Sequence, residues 1–190
     1  MESPANFARL LAEGLAASRA GQSESALALF QRASEADPAS ALPHFLLASE
    51  QASAGDFARA ELAFATALLL APDFALARYQ LGLLQFSSSR APVALLTWQP
   101  LFALPEEEAL LHFVRGFAVL AQDDFTAAEA HFEAGLLRNH DNPPLSADIQ
   151  KVIAGTRRAK MSSEAGAKPD DGQAAGHVLV SNYGKFGTLH

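Results

Sequence analysis

The 190-residue sequence contains no cysteine. Disulfides, thiolate nucleophiles, iron–sulfur clusters and cysteine-ligated zinc are thereby excluded together. Charge is sparse at 18% and weighted to one sign, with 21 acids against 14 bases and a formal net charge of −7. Such a surface repels phosphate on average, which argues against nucleic acid as a partner. The N-terminus (Met1, Glu2, Ser3, Pro4) lacks a basic segment leading into an apolar stretch, so it does not read as a secretory signal. The longest apolar runs, such as Phe64 to Ala71, fall short of the roughly 18 residues that span a bilayer. No membrane insertion is expected, and a cytoplasmic location follows as the expectation. Gly and Pro are few, 12 and 10, against 40 alanines and 49% apolar residues. Helix is favoured over strand, because Ala is the cheapest residue to place in a helix.

What is present is periodic. Ala26, Ala60, Ala94 and Ala128 recur every 34 residues, each followed four residues later by Phe30, Phe64, Trp98 or Phe132. Gly14, Ala48, Gly82 and Gly116 keep the same period, as do the turn-tolerant Gly21, Gly55, Ser89 and Asp123. Pro38 and Pro72 close the first two units, and Pro105 closes the third one residue early. Small residues let paired helices approach, and the aromatic row is expected to fill the gap toward the next unit. A unit that cannot bury its own apolar face must stack on its neighbours.

The period, the small residues, the Ala-x3-aromatic pair and the closing Pro resemble the tetratricopeptide repeat, a helix–turn–helix unit. The segments "YQLGLLQF" (79–86) and "AGDFARAELAFATALLLAPD" (54–73) carry the likeness most clearly, and it extends over about 7–142. The fold class expected is all-α, a right-handed α-solenoid of such repeats with a C-terminal capping helix and a flexible tail. The boundaries are a lead over 1–6, a solenoid over 7–144 (7–40, 41–74, 75–108, 109–142), a cap over 145–160, a linker over 161–176 and a C-terminal peptide over 177–190. Leu145, Ile149, Val152 and Ile153 give the cap an apolar stripe, with Lys151, Arg157, Arg158 and Lys160 on its other faces or toward its end. Pro100, inside the third unit's outer helix, predicts a kink near Leu96 to Gln99, with hinge or simple drift as its meaning.

No catalytic pattern appears. The phosphate loop, the dinucleotide fingerprint, H-E-x-x-H and G-x-S-x-G are all missing. His44, His112, His131, His140, His177 and His190 never pair at i, i+4; His112 and His131 could meet across the fourth helix pair, but two ligands make a poor metal site. Glu106, Glu107 and Glu108 follow Pro105 and read as acids at a helix start rather than as a catalytic pair. No enzyme, cofactor or metal is expected.

The resemblance implies that the inner helices line a concave groove for peptides. By phase, that groove takes Leu11, Leu15, Phe45, Tyr79, Leu83, Phe86, Phe113, Phe117 and Leu120, flanked by Ala8, Leu42, Ser49, Leu76 and Leu110. Aliphatics stand where relatives that hold acidic C-termini carry Lys, Arg and Asn, so an apolar strand or amphipathic helix is the expected occupant. Aromatic stripes at helical spacing can also turn inward and form core. The tail segment "HVLVSNYGKFGTLH" gathers Val178, Val180, Tyr183, Phe186 and Leu189 beyond the linker, and is expected to act as a docking peptide, in cis in the groove or in trans. The function expected is a non-enzymatic adaptor. The alternatives are a chaperone for an apolar client, similar to the tetratricopeptide chaperones of bacterial type III secretion, or a regulatory subunit masked by its own tail.

Overall fold

A computed structural model describes residues 4–164. The lead residues 1–3, most of the expected linker, and the C-terminal peptide with Val178, Val180, Tyr183, Phe186 and Leu189 lie outside the described residues. Within them the chain forms α1 (Pro4–Arg19), α2 (Ser23–Ala36), α3 (Ala41–Ser53), α4 (Phe57–Leu70), α5 (Ala75–Ser87) and α6 (Ala91–Trp98). A 3-10 helix (Gln99–Ala103) follows, then α7 (Ala109–Leu120), α8 (Phe125–Leu136) and α9 (Pro143–Glu164). There is no strand among the described residues, and no described helix is long and apolar enough to cross a membrane. The helices divide into two compact units, one ending at Leu81 and one beginning at Gly82, so that α5 contributes to both.

The turn row explains why each helix pair closes. Gly21, Gly55, Ser89 and Asp123 all hold positive φ, at 71°, 82°, 60° and 59°. In each case the next residue's N–H reaches the carbonyl five positions back: Gln22 to Ala17, Asp56 to Gln51, Arg90 to Gln85 and Asp124 to Val119. This left-handed stop satisfies carbonyls that the helix end would otherwise leave bare. Asp56 and Asp124 then cap α4 and α8, their side chains accepting from the Arg59 and Ala127 amides.

In the unit ending at Leu81, α1 pairs with α2 and α3 with α4, and α2 also packs on α3. In the unit beginning at Gly82, α7 pairs with α8, and α8 packs on α9. The aromatic row makes two kinds of contact: Trp98 reaches Phe117 of the next repeat, as expected, with ring centroids 5.3 Å apart, and the row also packs within its own repeats. Phe30, Trp98 and Phe132 sit on the small residues of their own helix pairs, Gly14, Gly82 and Gly116. A Cβ on Gly14 would fall 2.5 Å from Phe30 Cε1, and one on Gly116 would fall 2.5 Å from Phe132 Cε1.

The third repeat departs from the others where Pro100 requires it. Pro100 has no N–H, and α6 ends at Trp98 after 8 residues. Gln99 bonds back to Leu96 in the tighter 3-10 manner, and the chain continues so to Ala103. The expected kink is a change of helix type. α9 begins at Pro143, two residues ahead of the expected cap, because Asn142 Oδ1 accepts from the Leu145 amide. It runs on through 161–164, which the sequence reading gave to the linker. Its buried face is Leu145, Ile149, Val152 and Ile153. Arg157 donates to Glu129 and Glu133, and Lys160 to Thr126, all on α8. These side chains hold the helix to α8.

Candidate functional site

The groove residues expected from the sequence divide sharply by burial. Leu11 and Leu15 on α1 keep a half-exposed face, as do Ser49, Leu76 and Leu110, while Ala8 and Leu42 are exposed. Phe45, Tyr79, Leu83, Phe86, Phe113, Phe117 and Leu120 are buried, which corrects their assignment to an open surface. Seven consecutive residues, Leu81 to Ser87, are buried along α5. A helix covered on every side is a core helix, and its apolar stripe has no free face to offer.

Phe45, Phe86, Phe113 and Phe117 each have a specific burial partner. Phe45 packs against Phe64 and Phe74, with ring centroids 5.9 and 4.9 Å apart. In the second unit Phe117 joins three rings: Phe86 at 5.2 Å, Trp98 at 5.3 Å and Phe132 edge-on at 4.9 Å. Phe113 lies over Gly135, where an added Cβ would approach within 2.4 Å of its Cε1. Such ring pairs contribute about 0.5–1.5 kcal/mol each beyond area burial, so these side chains stabilise the units themselves.

The most exposed apolar side chains of the first three repeats lie on the outer helices α4 and α6. On α4, Leu62 is 71% exposed and Leu69 82% exposed, seven residues apart on one helix face. No charged residue occurs from Leu62 to Ala71. On α6, Leu96 is 75% exposed beside Val93. Leu62 and Leu96 hold the same repeat phase, and the corresponding positions of α2 and α8 are Ala28 and Ala130. The repeat alone therefore does not demand a leucine there.

Two polar constellations also escaped the sequence reading. Glu50 is 6% exposed, and its carboxyl group accepts hydrogen bonds from the Ser18 and Ser23 hydroxyls. Its signal was a lone acid in the otherwise uncharged α3. In the second unit Glu106 gathers three bases. Arg115 donates to its carboxylate at 2.8 Å and Arg138 Nε to its carbonyl at 2.8 Å, while His112 Nε2 lies 2.8 Å from the same carbonyl. Arg115 beside it holds the Glu106 carboxyl below the usual range, and burial pushes the His131 imidazole down, with Arg115 and His112 adding to the effect. The positive charge of His112 is felt at His131. Among the described residues, however, no group of three His, Asp or Glu side chains could hold a metal.

Residues 45–99 match the family model described as tetratricopeptide repeat. No curated protein matches the chain in sequence. Solved structures do. The MamA RS-1 ArsTM double mutant superposes with a TM-score of 0.60 at 17% identity, covering 95% of each chain. MamA from residue 41 to its end, from Desulfovibrio magneticus RS-1, gives 0.59 at 17% identity, covering 86% of this chain and 98% of that one. The likeness shows the fold, an all-α repeat architecture of the α-solenoid class.

Proposed function

We propose that this tetratricopeptide-repeat protein is a non-enzymatic interaction scaffold that binds an apolar segment of another protein. The observation that carries the reading is the exposure of Leu62 and Leu69 on α4, in a stretch from Leu62 to Ala71 that holds no charged residue. Large apolar side chains left in water at i and i+7 stand about 10.5 Å apart along the helix, a spacing that suits the apolar face of a partner helix. Leu11 and Leu15 on α1, expected from the sequence to line a groove, support the same reading. Their half-exposed side chains offer a second, smaller apolar face in the same unit.

Peptide selection tests this reading. Random 16-residue peptides displayed on phage are selected against the chain truncated after residue 176. Apolar or amphipathic sequences are the expected winners, with binding weakened at least tenfold by Leu62→Glu with Leu69→Glu. Both sites are exposed, so circular dichroism should be unchanged. Recovery of acidic peptides, or of peptides indifferent to the double substitution and to Leu11→Glu, would overturn the proposal.

A further inference from the structure

The unit beginning at Gly82 has an apolar face of its own. From Ala91 to Leu104 the chain carries no charged residue. Ala94, Trp98 and Leu101 turn inward, while Pro92, Val93, Leu96, Gln99 and Pro100 are exposed. Their spacing of three and four residues along α6 and the first 3-10 turn places them on one side.

The sequence supplies a covering segment of matching chemistry. Beyond Glu164, the last residue of α9, twelve residues (165–176) lead to His177, and the fourteen from His177 to His190 contain one charged side chain, Lys185. Val178, Val180, Tyr183, Phe186 and Leu189 fall within those fourteen. The thirteen residue steps from Glu164 to His177 span at most about 43–47 Å, whereas a body the size of this unit has a radius of gyration of about 12 Å. The covalent connection therefore reaches every face of the unit that carries α9. A short tether also gives an effective concentration on the order of millimolar, enough to hold a contact too weak to form between separate molecules.

We infer that residues 177–190 cover the outer face of α6 in cis, and that a partner segment of the same chemistry displaces them. The inference rests on the reading of this protein as a binder of apolar segments. It changes the docking surface expected from the sequence, since Tyr79, Phe113 and Phe117 are buried. Its test does not depend on any partner.

The absence of cysteine makes that test clean. A nitroxide on Thr188→Cys in the full chain is expected to reduce the amide signals of Val93 to Gln99 by more than half in a dilute sample. Leu96→Glu should restore them, and circular dichroism should confirm that this exposed substitution leaves the fold intact. Full signal on α6, or broadening centred on α4, overturns the inference. Broadening that appears only when spin label and nitrogen-15 are on different molecules assigns the contact to a second copy, and also overturns it. Peptide selection on the truncated chain remains informative in every case, so the binding function and the cis contact fail separately.

Discussion

A Cβ on Gly82 would stand 2.2 Å from Nε1 of Trp98. The indole of α6 therefore occupies the volume that any other residue at position 82 would claim. At the same phase the second repeat has Ala48, fully buried. Gly82→Ala should destabilise the protein by about 1–3 kcal/mol, and Gly82→Leu by at least as much. A urea midpoint unchanged by the alanine would show that Trp98 moves aside without cost.

The four turn positions separate two glycines from two residues that adopt the left-handed conformation under strain. Ser89 at φ 60° and Asp123 at φ 59° each carry a Cβ where it crowds the carbonyl, at about 1–2 kcal/mol for an ordinary residue. Ser89→Gly is expected to raise stability by about 1 kcal/mol, and Asp123→Gly by less, because Asp tolerates this region better. Gly55→Ala should lower it. Equal midpoints for all three variants would remove the conformational explanation.

These two cases show what the sequence makes legible. Rows of small, aromatic and turn residues at 34 gave the helix pairs, because steric fit at a close crossing leaves few alternatives. The exposure of the apolar residues was not legible in the same way. Phe117 and Leu62 are both apolar at helical spacing, and only packing distinguishes a ring stacked between Phe86, Trp98 and Phe132 from a leucine in water. Glu50 was hidden for a further reason. Its hydrogen-bond partners, Ser18 and Ser23, are 32 and 27 residues away, and no local pattern connects them.

Glu50 ties the turn between α1 and α2 to α3. Replacing it with alanine leaves two hydroxyls without their acceptor, and unsatisfied buried groups cost about 1–3 kcal/mol each. Glu50→Ala should therefore destabilise by roughly 2–4 kcal/mol once partial solvation of the half-buried serines is allowed for. Glu50→Gln, which keeps an acceptor oxygen, should cost less. In a double-mutant cycle Glu50→Ala and Ser18→Ala are expected to be non-additive. Additive losses would mean that the hydrogen bond contributes nothing to the fold.

The last prediction concerns pH. His44, in the first unit, and His131, in the second, both have imidazoles held below the ordinary value of 6.5, chiefly by burial. For each, the unfolded chain takes up its proton at a higher pH than the folded one does. Between those two values the unfolded state binds more protons, so stability falls as pH is lowered through about 6.5 and levels off below the folded pKa. The Asp148 carboxyl, raised by burial against the pull of Lys151, acts in the opposite sense but only in the carboxylate range. The thermal midpoint should therefore decline from pH 8 to pH 5.5. His44→Gln with His131→Gln should flatten that decline while leaving the midpoint at pH 8 nearly unchanged. A midpoint that is level across this range in the native protein, or a decline that persists in the double variant, would show that these imidazoles are not the source of acid sensitivity.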